Sequence, residues 1–316
     1  MKEYGGYIEW ETYYGEEFHK GYRVDSVRSA LAYSIKKRGY THIWIPYYIC
    51  SCIQELLDAI PISFSRYHIT EKFLPILPTT IPKTHCVLVV NYYDQLQEDD
   101  IKSLVQKYNI FLDNTQAFFE MPIADIDMAN SCRKFLGVTG GGYFYTTLNL
   151  SEYESYDFDT AYDKATCLIG RYEKTASDFY QCFIKNEAID RGHICKKMSK
   201  FVQNILRSLD YERIVKIRME NFDSLEKILG RYNELSPIKR AGLFMYPFLL
   251  ENGKEVKRKL INEKIYVPTL WPGVEKFPEL NPFEKQLISN LVLLPIDQRY
   301  DVNDMQYIGQ RVLKLI

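Results

Sequence analysis

The sequence predicts an α/β protein with a large, mostly parallel β-sheet flanked by helices and a smaller C-terminal α+β domain. Three observations lead there. At 316 residues the chain has room for about two domains of roughly 150 residues each. Its first half alternates short apolar runs with amphipathic stretches, the βαβα rhythm of a parallel sheet. Cys86-Val87-Leu88-Val89-Val90 is continuously apolar, as a strand covered on both faces must be.

In order along the chain, Val27 to Arg38 reads as a helix, with Asp25 or Ser26 as N-cap and Gly39 as its stop. His42 to Ile45 is a strand ended by Pro46, Ser51 to Ala59 a helix, and Ile62 to Ile69 an alternating strand. Cys86 to Tyr92 is a strand, Asp99 to Tyr108 a helix, Asn109 to Leu112 a strand. Ile123-Ala124-Asp125-Ile126 precedes Ser131 as a strand-like piece, and Gly142 to Thr146 is a further strand. Residues from about 150 to 235 are helical and charged, Phe201 to Leu209 and Arg213 to Leu229 most clearly. Then Leu243 to Leu250 is a strand, Lys254 to Asn262 a helix, Ile265 to Val267 and Leu291 to Leu294 strands, and Val302 to Leu315 a closing helix. The expected division is a large domain at 1–200, connecting helices at 201–235 and a small domain at 236–316.

Lys plus Arg number 40 against 41 for Asp plus Glu, so there is no overall field for gripping nucleic acid or an anionic membrane. The basic run Lys254 to Lys259 is broken by Glu255 at helical spacing and reads as a solvated face. The polar, mixed start lacks the apolar core of a signal peptide, and no apolar run approaches the roughly 20 residues of a membrane span. A cytoplasmic protein with no membrane or nucleic-acid partner is expected. The seven cysteines are expected to be buried, reduced thiols. Cys50-x-Cys52 and His193-x-Cys195 lack a second pair at zinc spacing, so no metal is expected. The 26 tyrosines suit wet clefts or buried interfaces, because each pairs an apolar body with a polar tip.

In an open α/β sheet, ligands sit beyond the carboxyl ends of the strands. Asp113 follows the strand Asn109 to Leu112, where an acid can meet a cationic ring nitrogen or cap the next helix. Ser131-Cys132-Arg133-Lys134 leads to Gly140-Gly141-Gly142, a run that lets backbone approach a ligand. A lysine on its rim is a candidate for covalent attachment to a carbonyl, or else an ordinary surface charge. Asp25-Ser26-Val27-Arg28 opens a helix, where free N–H groups, the dipole and a hydroxyl favour phosphate.

In this order the features resemble the sugar aminotransferases of the DegT/DnrJ/EryC1/StrS family, pyridoxal 5'-phosphate (PLP) dependent transferases of fold type I. Asp113-Asn114-Thr115-Gln116-Ala117 is similar to the family's Glu-Asp-x-Ala-Gln/His-Ala segment. Ser131 to Lys134 with Gly140-Gly141-Gly142-Tyr143 resembles its serine and lysine before a Gly-Gly turn. Ile45-Pro46-Tyr47-Tyr48 resembles the proline loop that supplies a ring to stack on the cofactor. The resemblance runs through Ile265 to Val267, Trp271-Pro272 and Leu293 to Ile296, over almost the whole chain. Three departures stand out. Ser131 lies nearer Lys134 than is usual, the Ser-Gly-Thr of the phosphate helix reads Ser26-Val27-Arg28, and the chain is short.

The resemblance implies that Lys134 carries PLP and moves protons, helped by Arg133. It implies that Asp113 faces the pyridine nitrogen and Gln116 the phenolic oxygen. Ser26, Val27, Arg28 and Ser131 are implied to hold phosphate. Tyr48 is the expected stacking ring, with Tyr47 and Cys50 as alternatives, and Asn91 an expected cofactor or substrate contact. The implied reaction moves an amino group from glutamate to a nucleotide-linked keto-sugar for surface polysaccharide, in a homodimer. Two other readings are open: different chemistry on the same fold, such as dehydration or acyl transfer, and a degenerate ligand-binding member. The retained Lys134 favours transamination over the sugar dehydratases.

Overall fold

Tyr22–Val24 (β1) leads into Val27–Arg38 (α1), then His42–Pro46 (β2), Ser51–Ala59 (α2), Ser63–Ile69 (β3), Pro75–Ile76 (β4) and His85–Val90 (β5). Glu98–Lys107 (α3), Ile110–Asn114 (β6), Asp127–Ser131 (β7) and Gly142–Tyr145 (β8) complete the large sheet and its first helices. Helices Tyr162–Glu173 (α4), Tyr180–Ile189 (α5), Lys200–Leu206 (α6) and Tyr211–Leu229 (α7) follow. The chain ends with Tyr246–Leu249 (β9), Gly253–Asn262 (α8), Pro282–Asn290 (α9), Leu291–Leu294 (β10) and Val302–Leu313 (α10). This computed structural model describes residues 4–123, 125–189 and 195–316.

Local chemistry explains the boundaries that matter for function. The Ser26 hydroxyl accepts the Ser29 N–H at 3.2 Å and starts α1. At its end Gly39 takes φ +68°, a left-handed position open to glycine, and donates its N–H to the Ile35 carbonyl. The sheet order is β1-β8-β7-β6-β5-β2-β3-β4. Strands β7, β6, β5, β2 and β3 run parallel to one another, while β1, β8 and β4 pair antiparallel. Register sets Asp113 between Val90 of β5 and Ala129 of β7. The carboxyl ends of β2, β5, β6 and β7 therefore open to one edge.

Two strand expectations shift. Pairing with β6 begins at Asp127, beyond Ile123–Ile126, of which Ala124 lies outside the described residues. The sequence Asp-Met-Ala-Asn-Ser hides this strand because it is buried yet largely polar. Distant partners meet its polar groups: Arg38, Ser34 and Thr146 donate to Asp127, and the Asn130 Nδ2 donates to the carbonyls of Ala117, Phe118 and Glu120. Ile265–Val267 is not a strand. Ile265 and Val267 are buried and Tyr266 exposed, so the alternation reflects packing without a ladder.

A second core gathers on β9, β10, α8 and α10, with β9 and β10 antiparallel. Helix α7 joins the two cores: Ile214 packs in the first, and Phe222, Leu225 and Leu229 in the second. Among the described residues no helix is long and apolar enough to cross a membrane. Among them, too, no cluster of metal-ligating side chains forms, and His193 lies outside them.

Candidate active site

Asp113 closes β6 with its carboxyl 7% exposed, accepting the Thr115 N–H at 2.8 Å. Burial raises its pKa because the charged form loses water; the Thr115 hydrogen bonds and the Lys134 ammonium act against this. Lys134 reaches the same region from the loop after β7. That loop turns tightly: the Phe135 and Leu136 N–H groups both donate to the Cys132 carbonyl, and Cys132 donates to Gly141. Cys132, Phe135 and Leu136 are buried while Lys134 itself stays solvent-accessible, so the buried neighbours anchor the loop that presents the amine. Surrounding protein lowers the Lys134 pKa, and neighbouring Arg133 lowers it further; Glu187, Cys50 and Cys52 pull the other way. Arg133 itself pairs with Glu187 of α5 at 2.6 Å.

The lysine loop is also clamped from outside the large sheet. Arg218 of α7, fully buried, donates to the Leu243 carbonyl at 2.7 Å and the Phe135 carbonyl at 3.3 Å. Gln298 donates to the same Phe135 carbonyl at 2.8 Å. Burial brings the Arg218 pKa down to about 10. Sequence reading missed this clamp, since nothing local marks an arginine that acts on a carbonyl far away in the chain.

The start of α1 meets the glycine loop: Gly141 donates its N–H to the Asp25 carbonyl at 2.8 Å. Gly142 is required by packing, since an added Cβ would lie 2.4 Å from the Asn130 carbonyl oxygen. The run thus serves close strand approach as well as any ligand. Arg28, in the first turn of α1, acts electrostatically on Cys50 and Cys52 at the start of α2. Ser131 ends β7 beside Gly142. Asp113, Lys134, Arg28, Cys50 and Cys52 are therefore linked by one electrostatic neighbourhood.

The other expected contacts sit differently. Tyr48 has no free face: it is 1% exposed, its hydroxyl meets that of Tyr93, and Trp271 and Tyr92 pack against it. Tyr47 stacks on His68 toward β3. Of the three stacking candidates, Cys50 is the one that shares the Lys134 field. Asn91 is a buried bracket, donating to Asp94 and Asn114 and accepting the Leu96 N–H. Gln116 accepts the Tyr93 N–H at 2.9 Å through Oε1. Cys50 and Cys52, expected to be buried thiols, are half-buried at the junction from β2 to α2. A groove of about 900 Å³ lined by Glu17, Phe18, Tyr211 and Met219 lies elsewhere and contains none of these residues.

No protein-family model matches the chain, and no curated protein matches it in sequence. Solved structures do resemble it. A DegT DnrJ EryC1 StrS aminotransferase from Brucella abortus has 12% identity and a TM-score of 0.61, covering 93% of this chain and 85% of that one. The sugar aminotransferase CalS13 from Micromonospora echinospora has 11% identity and 0.62, covering 93% and 86%. NtdA from Bacillus subtilis, with bound cofactor PMP, has 14% identity and 0.62, covering 93% and 72%. The shared architecture is the type I fold of PLP-dependent transferases.

Proposed function

We propose that this chain is a PLP-dependent aminotransferase of the DegT/DnrJ/EryC1/StrS kind. In this reading it moves an amino group from glutamate to a nucleotide-linked keto-sugar for surface polysaccharide, as a cytoplasmic homodimer. The observation that carries the reading is the placing of Asp113 at the end of β6 beside β7, whose following loop carries Lys134, with the Lys134 ammonium acting on the Asp113 carboxyl. The names of the structural relatives, one a sugar aminotransferase and one holding PMP, support the activity and the cofactor. Tyr7, Ile8 and Tyr14 on the N-terminal segment are at least 90% exposed, which suits cover by a second copy.

The donor set fits PLP. A buried carboxylate needs a cationic partner, and a protonated pyridine opposite Asp113 is one. The α1 start offers dipole, N–H groups and Arg28 to a phosphate dianion. Thr139 Oγ1, in the loop after Lys134, is buried without a protein partner and can take a hydrogen bond from or to a ligand. When bound, PLP supplies the electron sink that amino transfer requires. Asp113 holds the proton at the ring nitrogen. Lys134, its ammonium disfavoured by the surrounding protein and by Arg133, would supply the amine that attacks a carbonyl and shuttles a proton at the donor's α-carbon. Val27 N–H, Ser26, Arg28 and Ser131 bind phosphate, and Gln116 keeps its amide nitrogen for the ring oxygen. Asn91 sets the loop that carries Tyr93, and of the three ring-side candidates Cys50 is the one under the Lys134 field.

The test is spectroscopic. PLP-loaded protein is expected to be yellow and to lose that colour with glutamate. Yellow protein indifferent to every amino donor would point to other chemistry on this fold. Protein that cannot be loaded would leave a ligand-binding member.

A further inference from the structure

Arg218 of α7 is 1% exposed, yet its hydrogen bonds go to neutral acceptors. Nε donates to Gln298 Oε1 at 3.0 Å, Nη1 to the Leu243 and Phe244 carbonyls at 2.7 and 3.3 Å, and Nη2 to the Phe135 carbonyl at 3.3 Å. The carboxylate that acts on it, Asp297, is itself held by Arg299 at 2.6 Å. A cation kept inside on neutral partners is costly, and an apolar residue of like volume would hold a helix in place at less cost. That cost calls for a role, and the direction of the fork indicates it.

Phe135 directly follows the lysine. Its carbonyl takes two donors from outside the large sheet, Arg218 Nη2 and, at 2.8 Å, Gln298 Nε2. Gln298 also accepts from Arg218, so the three residues close a ring of hydrogen bonds. The guanidinium lies 4.9 Å from the centre of the Phe135 ring, and the Phe244 ring packs on the other at 5.7 Å. Gln298 comes from the loop after β10, and Leu243 and Phe244 lead into β9, so this one guanidinium ties the lysine loop to the small domain. Helical periodicity puts it at that seam. Ile214, Arg218 and Phe222 recur every four residues on one face, with Ile214 in the first core and Phe222 in the second.

We propose that Arg218 and Gln298 are positioning residues for the chemistry at Lys134: they fix the Phe135 carbonyl, and with it the turn that aims the lysine amine. A planar fork serves several acceptors in fixed directions, which a lysine ammonium does not. A displacement of about 1 Å at a reacting group can cost about a hundredfold in rate. The inference rests on Lys134 as the reacting amine of the proposed function, so its first test does without cofactor.

The full chain, free of PLP, is labelled with trace acetic anhydride across the alkaline pH range. Acetylated lysines are quantified by mass spectrometry against the exposed Lys107. In the native chain the midpoint for Lys134 is expected below the usual lysine range. Arg218→Lys is expected to raise it by about one pH unit, as the released amine turns to water, and Gln298→Ala by less. The groups that act on Lys134 or feel it, namely Arg133, Glu187, Cys50, Cys52 and Asp113, are unchanged in both variants. Val256→Ala opens a cavity in the second core, to which Phe135 does not belong. It should lower the melting temperature and leave the midpoint in place. Should Arg218→Lys fail to fold, Gln298→Ala, at a half-buried position, decides the matter. A midpoint unmoved in the folded variants, or moved as far by Val256→Ala, would overturn the proposal. With PLP and glutamate, kcat for colour loss should fall at least about tenfold while KM stays within about twofold. A higher KM at unchanged kcat would contradict the positioning role. Raised midpoints in a chain whose native form never takes up PLP would uphold that role and sink the aminotransferase reading alone.

Discussion

The starts of α1 and α2 share one electrostatic neighbourhood, the field of Arg28 on Cys50 and Cys52, but their first residues do different work. At α1 the Ser26 hydroxyl closes the first turn on Ser29, and a cation follows it. At α2 the equivalent position is a thiol that makes no ordinary cap bond and leans on a second thiol. One start is built for local stability and an anion. The other gives up a cap and places a half-buried thiol at the helix start. Helix geometry is common to both; the side chain at the N-cap decides what the start can do.

The largest expected effect tests what both helices surround. Lys134→Ala should lower amino transfer by at least about a thousandfold, measured as colour loss with glutamate, while thermal unfolding stays cooperative. Asp113→Asn should lower turnover by about a hundredfold. It should also stabilise the cofactor-free protein at neutral pH. The folded-state pKa of Asp113 is raised, so its contribution is fully present below the unfolded pKa near 3.9 and is lost as pH rises through the folded value. An asparagine removes that loss, so melting curves of the two proteins should converge at acid pH and separate above it.

Arg28→Ser separates the anion role of α1 from its cap. PLP affinity, read by equilibrium dialysis, should weaken about tenfold with the helix intact. The smallest effects compare the caps directly. Ser26→Ala should cost about 1 kcal/mol in denaturant unfolding, whereas Cys50→Ser should stay within about 0.5 kcal/mol. Equal losses at the two positions would erase the distinction drawn between them.

Helix α1 was legible because Ser26, the apolar spacing and Gly39 all agree. Asp113 was legible because an apolar strand runs straight into it. Strand β7 was not, since Asp127, Asn130 and Ser131 are polar and their partners come from distant segments. The burial of Tyr48 under Trp271, from far along the chain, has no local signature either. The same holds for the Arg218 clamp and for the cations that face Cys50, which arrive from other elements.

The central claim is that Lys134 is the amine that carries the cofactor. Borohydride reduction of the PLP-loaded protein, followed by peptide mapping, tests it most directly. A pyridoxyl group on Lys134 is the expected result. The same group on any other lysine, or on none, would contradict it.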